Sequence, residues 1–360
     1  MTTDPRSPDA RTPDAWSREA VETARQQHAA AAQDAAGANA SSANPLEQVL
    51  FEVKRTIVGQ DVLLERMAVA MLAGGHLLVE GVPGLAKTLA SSTLAEAVGA
   101  SFNRIQCTPD LLPSDIVGTQ VYDPRHHTFT TQLGPVHAHV VLLDEINRAS
   151  AKTQSAMLEA MQERQTSIAG EVHPLPRPFL VLATQNPLEE EGTYVLPQAQ
   201  LDRFLLQEVL DYPTAEEEVG VLDRVDAGTL GRETSPVAAV VGPGEVEALQ
   251  ALVDRVYVDP AVRRYIVDVV AGTRAVGSLV GPELGGYVET GASPRASIAF
   301  FQVARALAVL HGRHYVVPED VRELAHGVLR HRLHLSFEAV ADRVRPEVVV
   351  DAVLAAVPTP

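Results

Sequence analysis

Short apolar runs that alternate with helix-patterned stretches limit this chain more than any other feature. HLLVE (76–80), VVLLDE (140–145), FLVLATQN (179–186) and FLLQEVLDY (204–212) are rich in Val, Leu and Phe, and are apolar throughout rather than at every second place. Strands buried on both faces of a parallel sheet have that composition, because helices cover the sheet on either side. FNRIQC (102–107) reads as a further strand, and KTLASSTLAEAVG, after the first strand, as a helix. A helix pattern at LEQVLFEVKRTI and a second one reaching Leu72 precede the series. Strands alternating with helices predict an α/β fold built on a parallel sheet.

After Tyr212-Pro213 strands largely disappear. Helical patterns follow at TAEEEVGVLDRV, GEVEALQALVDRV, PAVRRYIVDVVAGTRA, SPRASIAFFQVARALAVLHG and PEDVRELAHGVLRHRL. Several open on Pro, Ser or Thr and close near Gly, as helix ends do. The expected organisation is an α/β domain over 45–212, a smaller all-α domain over 213–335 and a C-terminal helical extension over 336–360. Residues 1–44, rich in Ala, Pro, Asp, Ser and Gln, read as a disordered tail.

Composition excludes several function classes. A formal net charge of −17 argues against general affinity for nucleic acid, which needs a basic footprint. No apolar run reaches the roughly 18 residues of a membrane span. The polar, acidic start, with no apolar signal core, makes the cytoplasm the expected compartment. A lone cysteine, Cys107, forms no intramolecular disulfide and no multi-thiolate metal site, and reads as a small buried residue. Lysine is scarce: only Lys54, Lys87 and Lys152 occur, so the lysine in EGVPGLAKT (80–88) is conspicuous.

That stretch resembles the phosphate-loop pattern G-x-x-x-x-G-K-[ST], with Ala86 in the second glycine's place, and it lies between an expected strand and an expected helix. Backbone N–H groups and a positive helix end surround an anion there, a lysine reaches the outer phosphates, and the next hydroxyl ligates Mg²⁺. Gly81, Val82, Pro83, Gly84, Leu85, Ala86, Lys87, Thr88 and Leu89 are the candidate cradle, with Thr88 on the metal. Ala86, immediately before the helix, is expected to take a helical φ, which alanine accepts. VVLLDEINRA puts Asp144 and Glu145 at the carboxyl end of a strand, the edge where open α/β sheets bind ligands. Asp144 is the candidate metal-holding acid and Glu145 the candidate base for water. Asn186, ending FLVLATQN, is placed to bond the water or the γ-phosphate. Arg203, in QLDRF, is a candidate charge for a neighbouring subunit's nucleotide.

In order, EGVPGLAKT, IQCTPDLLPSDIVGT, LLDEINRA, LEAMQERQ, ATQNP, LPQAQLDRF and GASPRA resemble the MoxR family of AAA+ ATPases, over Pro45 to Leu335. That family commonly carries alanine before the loop lysine. The resemblance implies a five-stranded AAA+ P-loop core, a helical lid, and ATP and Mg²⁺ bound between protomers of a homo-oligomeric ring, expected to be hexameric. It assigns Asn186 as the first sensor, Arg203 as the arginine finger and Arg295 of GASPRA as the lid sensor arginine, in cis or in trans. It further implies remodelling of a protein client, with a von Willebrand factor A domain partner.

Two segments, GTQVYDPRHHTFTTQLGP (118–135) and TSIAGEVHPLP (166–176), read as hairpins with turns at DPRHH and Gly170. By resemblance they face the ring pore, which makes Tyr122, His126, His127 and Phe129 candidate client contacts. Of the lid histidines His311, His314, His326, His331 and His334, spacing puts only His331 and His334 on one helix face, and they read as packing or surface residues. Two other functions fit much of this pattern: a chelatase-type motor subunit for metal insertion, and a scaffold in which ATP only sets the assembly state.

Overall fold

The structure is a computed structural model, and it describes residues 45–186, 194–227 and 237–360. The tail expected over 1–44 lies outside the described residues. The described residues belong to one compact unit. Its centre is a five-stranded sheet in the order β2-β5-β8-β1-β9, with β1 Leu77–Glu80, β2 Phe102–Gln106, β5 Val140–Asp144, β8 Leu180–Gln185 and β9 Leu206–Val209. All four neighbouring pairs are parallel. The α/β expectation therefore holds.

The all-apolar reading applies to the three inner strands. Leu77, Leu78, Val79, Val140 to Leu143 and Leu180 to Ala183 are all buried. The outer strands differ: β2 leaves Arg104 and Gln106 exposed, and β9 ends in an exposed Val209. An edge strand has a neighbour on one side only, so its polar residues stay in water.

Helices α1 Pro45–Thr56, α2 Asp61–Leu72 and α3 Lys87–Ala97 flank the sheet, with α4 Pro113–Val117, α5 Ala151–Glu163 and α6 Gln198–Leu201 following along the chain. Two antiparallel hairpins interrupt this layer, β3 Gly118–Asp123 with β4 Thr128–Leu133, and β6 Gln165–Ile168 with β7 Glu171–Pro174. Ala169 and Gly170 both have positive φ (50° and 89°) at the second turn, the geometry that two-residue hairpin loops favour.

Beyond β9 the chain is helical: α7 Ala215–Asp226, α8 Pro243–Val253, α9 Pro260–Gly272, α10 Val276–Leu279, α11 Pro282–Gly286, α12 Pro294–Leu310, α13 Pro318–Leu329, α14 Phe337–Ala341 and α15 Pro346–Ala356. Thr214, Asp259 and Ser293 cap α7, α9 and α12 with side-chain oxygens, so the Ser/Thr/Pro entry signals were physical ones. A small ribbon, β10 Val288–Thr290 with β11 His334–Leu335, is the exception. His331 and His334 do not share a helix face. His331 lies buried in a 3-10 turn with its Nε2 3.2 Å from the Phe204 carbonyl, and His334 is exposed on β11 beside Glu289. The reason is that the α-helix ends at Leu329 and the chain turns into the ribbon.

One apolar cluster runs from α2 and the sheet into α9, α12, α13 and α15, so helices of the second part share a core with the first. Asp202 ties them further: its Oδ1 accepts from Arg332 Nε at 2.7 Å and its Oδ2 from Ser293 Oγ at 2.9 Å.

Candidate nucleotide site

The site is built where β1, β5 and β8 end. The chain leaves β1 at Glu80, turns through the loop and enters α3 at Lys87. Gly84 has φ 90°, a backbone state that glycine reaches at no steric cost. Ala86 overturns its expectation: φ 55° and ψ 19° are left-handed, not helical. The turn before α3 needs that state at the position where the general pattern has glycine, and the alanine Cβ makes it costlier by about 1 kcal/mol. The cradle nevertheless forms. Pro83 to Leu89 lie along one wall of a cavity of about 420 Å³, with Asp144, Glu145 and Asn186 also on its lining. Gly81 and Val82 are not on that wall, and the Gly81 carbonyl instead accepts from Lys87 Nζ at 2.7 Å. Burial lowers the Lys87 pKa from its ordinary value, opposed by the charges of Asp144 and Glu145.

The structure thus brings Lys87, Thr88, Leu89, Asp144, Glu145 and Asn186 together. Glu145, just past β5, is also left-handed (φ 57°, ψ 52°). Its N–H donates to Thr184 Oγ1 at 2.8 Å, and the Thr184 hydroxyl donates to Asp144 Oδ1 at 2.7 Å. One hydroxyl therefore fixes both acids. Arg104 donates through Nη2 (2.6 Å) and Nε (3.2 Å) to Asp144 Oδ2. Gln106 Nε2 and Arg148 Nη1 donate to Glu145 Oε2 at 2.9 and 3.1 Å. Thr184, Arg104 and Gln106 were missed by sequence reasoning. The signal was available: Arg104 and Gln106 are polar at i and i+2 in a strand, hence on one face.

Cys107 follows Gln106 and is buried. Burial first, then the nearby acids, push its thiol up to about 12, so it is an inert packing residue at neutral pH.

Arg203 and Arg295 lie elsewhere. Both line a second cavity, of about 280 Å³, with Gly75, His76, Arg164 and Leu205. Gly75 and His76 immediately precede β1 and Leu205 immediately precedes β9, so this cavity is at the opposite end of the strands from the loop. The four residues of β1 alone put roughly 13 Å between the two ends. Arg295 Nη1 is 4.0 Å from Asp202 Oδ2, and its side chain is about half exposed.

Hard oxygen ligands suit Mg²⁺, and the Thr88 hydroxyl and Asp144 carboxylate supply them on one cavity. A guanidinium already sits against Asp144 Oδ2, which marks that oxygen as a cation position. The residues present fit the metal. Among the described residues there is no group of three or more His, Cys, Asp or Glu able to hold a metal ion by themselves. No described helix is long and apolar enough to cross a membrane.

Comparison with known proteins identifies the family and the fold. Residues 76–206 match the model of the ATPase family associated with various cellular activities (AAA), and residues 286–353 that of the AAA lid domain. Chaperone MoxR1 of Mycobacterium tuberculosis is 50% identical over 316 residues, 88% of this chain and 82% of that one. Protein MoxR of Paracoccus denitrificans is 32% identical over 324 residues, 84% of this chain and 93% of that one. A crystal structure from Cytophaga hutchinsonii superposes with a TM-score of 0.82 at 40% identity, covering 88% of this chain and 95% of that one. The chain belongs to the MoxR family of AAA+ ATPases.

Proposed function

We propose that this protein hydrolyses ATP with Mg²⁺ at the contacts between copies of itself, in a ring expected to be hexameric. The observation that carries the reading is the separation of charges. Lys87, Thr88, Asp144, Glu145 and Asn186 surround one cavity, whereas Arg203 and Arg295 stand together at the opposite end of the same sheet. A second copy is needed to bring the two sets together. Arg295 therefore acts in trans, as Arg203 does, from the lid conformation described here.

Within the cavity the roles follow from chemistry. The Lys87 ammonium exchanges the Gly81 carbonyl for the outer phosphates, and the N–H groups of the loop hold the inner ones. Thr88 and Asp144 would hold Mg²⁺, which would supply positive charge to offset the charge that develops on the phosphates. Glu145 accepts a proton from the attacking water while Asn186 orients it.

In this reading the part over 45–212 cleaves nucleotide, the helices over 213–335 carry the sensor and report the nucleotide state, and 336–360 extends the lid. The work is remodelling of a protein client, as the kinship with a protein named a chaperone suggests; a von Willebrand factor A domain partner rests on the family resemblance alone. The exposed hairpin β3–β4 is the proposed client contact. Tyr122 and Phe129 pair across it with ring centroids 5.2 Å apart and stay 47% and 66% exposed, beside His126 and His127 at the turn.

Equilibrium binding and turnover test the reading. Lys87→Ala is expected to lose nucleotide binding, and Glu145→Gln to bind ATP normally while hydrolysing it at least 100-fold more slowly, the scale of a lost general base. A Glu145→Gln protein that turns ATP over at the wild-type rate would overturn the assignment.

A further inference from the structure

A further cavity, of about 240 Å³, is lined by the C-terminal ends of α2 and α8 and by one face of α12. Gln302 and Arg305 reach it from α12, where a spacing of three puts both on the same face. Arg164, the residue after α5, lines it as well, and the acid on its wall is Asp254, just past α8.

Both guanidiniums on this cavity are short of anionic partners. The Arg305 side chain is 11% exposed, and its Nη2 stands 3.8 Å from Oδ1 of Asp254, a side chain that is itself 83% exposed. Arg305 Nε is buried and, among the described residues, has no hydrogen-bond partner. The guanidinium lies over the Phe301 ring, 5.0 Å from its centroid, and Arg263 lies over the same ring at 5.7 Å. A ring face attracts the charge but leaves an in-plane N–H unmet. Arg164 donates through Nη2 to the Gly74 carbonyl, a neutral acceptor. Burial lowers the pKa of both guanidiniums. Arg177 adds to the effect at Arg164; at Arg305, Asp254 opposes it and Arg263 adds to it. Two arginines on the cavity, with two more close enough to repel them, thus face one solvated aspartate, in a chain whose formal net charge is −17. A buried cation without a partner is costly, and a bound anion removes that cost.

We propose that this cavity binds a small dianion through the Arg305 and Arg164 guanidiniums, the dianion being a phosphate group or a dicarboxylate. A guanidinium edge offers two parallel N–H donors to two oxygens of one anion, and the unmet Nε of Arg305 belongs to such an edge. The volume, about 240 Å³ against about 420 Å³ at the loop, suits a small anion rather than a nucleotide. Gly74, Arg164 and Gln302 also line the cavity of Arg203 and Arg295, so the anion lies next to those arginines without using either. The site goes beyond the ATPase reading and does not depend on it.

The test is calorimetric titration of the full chain carrying Lys87→Ala, which silences the loop, with inorganic phosphate and separately with malonate. One anion per chain is expected. Binding of phosphate alone assigns the site to phosphate groups, binding of malonate alone to dicarboxylates, and binding of neither overturns the proposal. Adding Arg305→Gln is expected to weaken binding at least about tenfold, the scale of a lost charge-assisted hydrogen bond. Adding Asp254→Asn is expected to tighten it about two- to fivefold, because an exposed competitor for Arg305 is gone. Arg203→Ala in the same background is expected to leave it unchanged. Binding that ignores Arg305→Gln, or that fails to tighten in Asp254→Asn, overturns the assignment. Binding lost in Arg203→Ala instead would put the anion in the neighbouring cavity and overturn it too. Thermal unfolding without anion verifies that each variant is folded, and Asp254→Asn, a surface substitution, keeps the test decisive if Arg305→Gln is not.

Discussion

Ala86 and Glu145 carry the least comfortable backbone in the site, both left-handed without being glycine. Their settings differ. Glu145 is held there by its N–H bond to Thr184, and the conformation aims its carboxylate into the cavity lined by the loop. Ala86 has no such partner: its side chain makes no capping bond, and its carbonyl receives the Ala90 N–H at 2.8 Å as any first helical turn would require. Glycine at 86 would remove the Cβ penalty but widen the unfolded ensemble, and at positive φ the first effect is the larger. Ala86→Gly is therefore expected to raise stability by up to about 1 kcal/mol. The measurement is thermal or urea unfolding of the nucleotide-free protein. A lowered midpoint would mean that the loop takes a helical φ at 86 in solution.

At the level of the strand, β1 is anchored below by His76 as the loop anchors it above. The ring is fully buried, donates from Nε2 to the Met161 carbonyl at 3.1 Å and accepts the Val181 N–H at Nδ1 at 3.1 Å, which joins β1, β8 and α5. The second bond needs the neutral ring, since a protonated Nδ1 cannot accept. Burial, aided by Arg164, lowers its pKa from 6.5 to about 4. The unfolded chain therefore binds the extra proton first, and stability contributed by His76 is complete above pH 6.5 and lost as pH falls from 6.5 towards 4. Urea unfolding at stepped pH should show wild type losing about 1.4 kcal/mol more per pH unit in this window than His76→Gln. Equal slopes would mean that the ring is already charged in the fold. None of this was legible in HLLVE, where His76 looks like the first residue of an apolar run. The inner strands, the loop, both hairpins and the acids at the strand ends were legible, because periodicity and chain order report them. The partners of Arg104, Gln106 and Thr184 were not: the i, i+2 polarity of β2 marks a shared face, but their bonds reach residues 39 or more away and depend on register, which no local pattern encodes.

At the scale of the molecule, charge has been divided between the two ends of one sheet. A chain that cleaved ATP alone would have its arginines beside the loop; here Arg203 and Arg295 line the far cavity, where Asp202, next to Arg203 in the chain, is bonded by Arg332 and Ser293 and lies 4.0 Å from Arg295. Arg332 is buried and donates through Nη2 to the Phe204 carbonyl at 2.7 Å, so the segment bearing Arg203 is held by the helical part of the chain. A side chain cannot cross the sheet, and the lid would have to leave its shared core to bring Arg295 round. On the proposed reading two chains are the unit of hydrolysis, and subunit mixing is the direct measurement. Lys87→Ala lacks a working loop and Arg203→Ala a working finger, so each alone should fall by about 10³-fold or more in turnover. Mixed in equal amounts, they should recover activity. With random assembly and independent sites, about one junction in four joins an intact loop to an intact arginine, and turnover should return to roughly a quarter of wild type. Activity that remains at the level of the separate variants, in a mixture shown by mass to contain both chains in one assembly, would mean that loop and arginine must belong to the same chain.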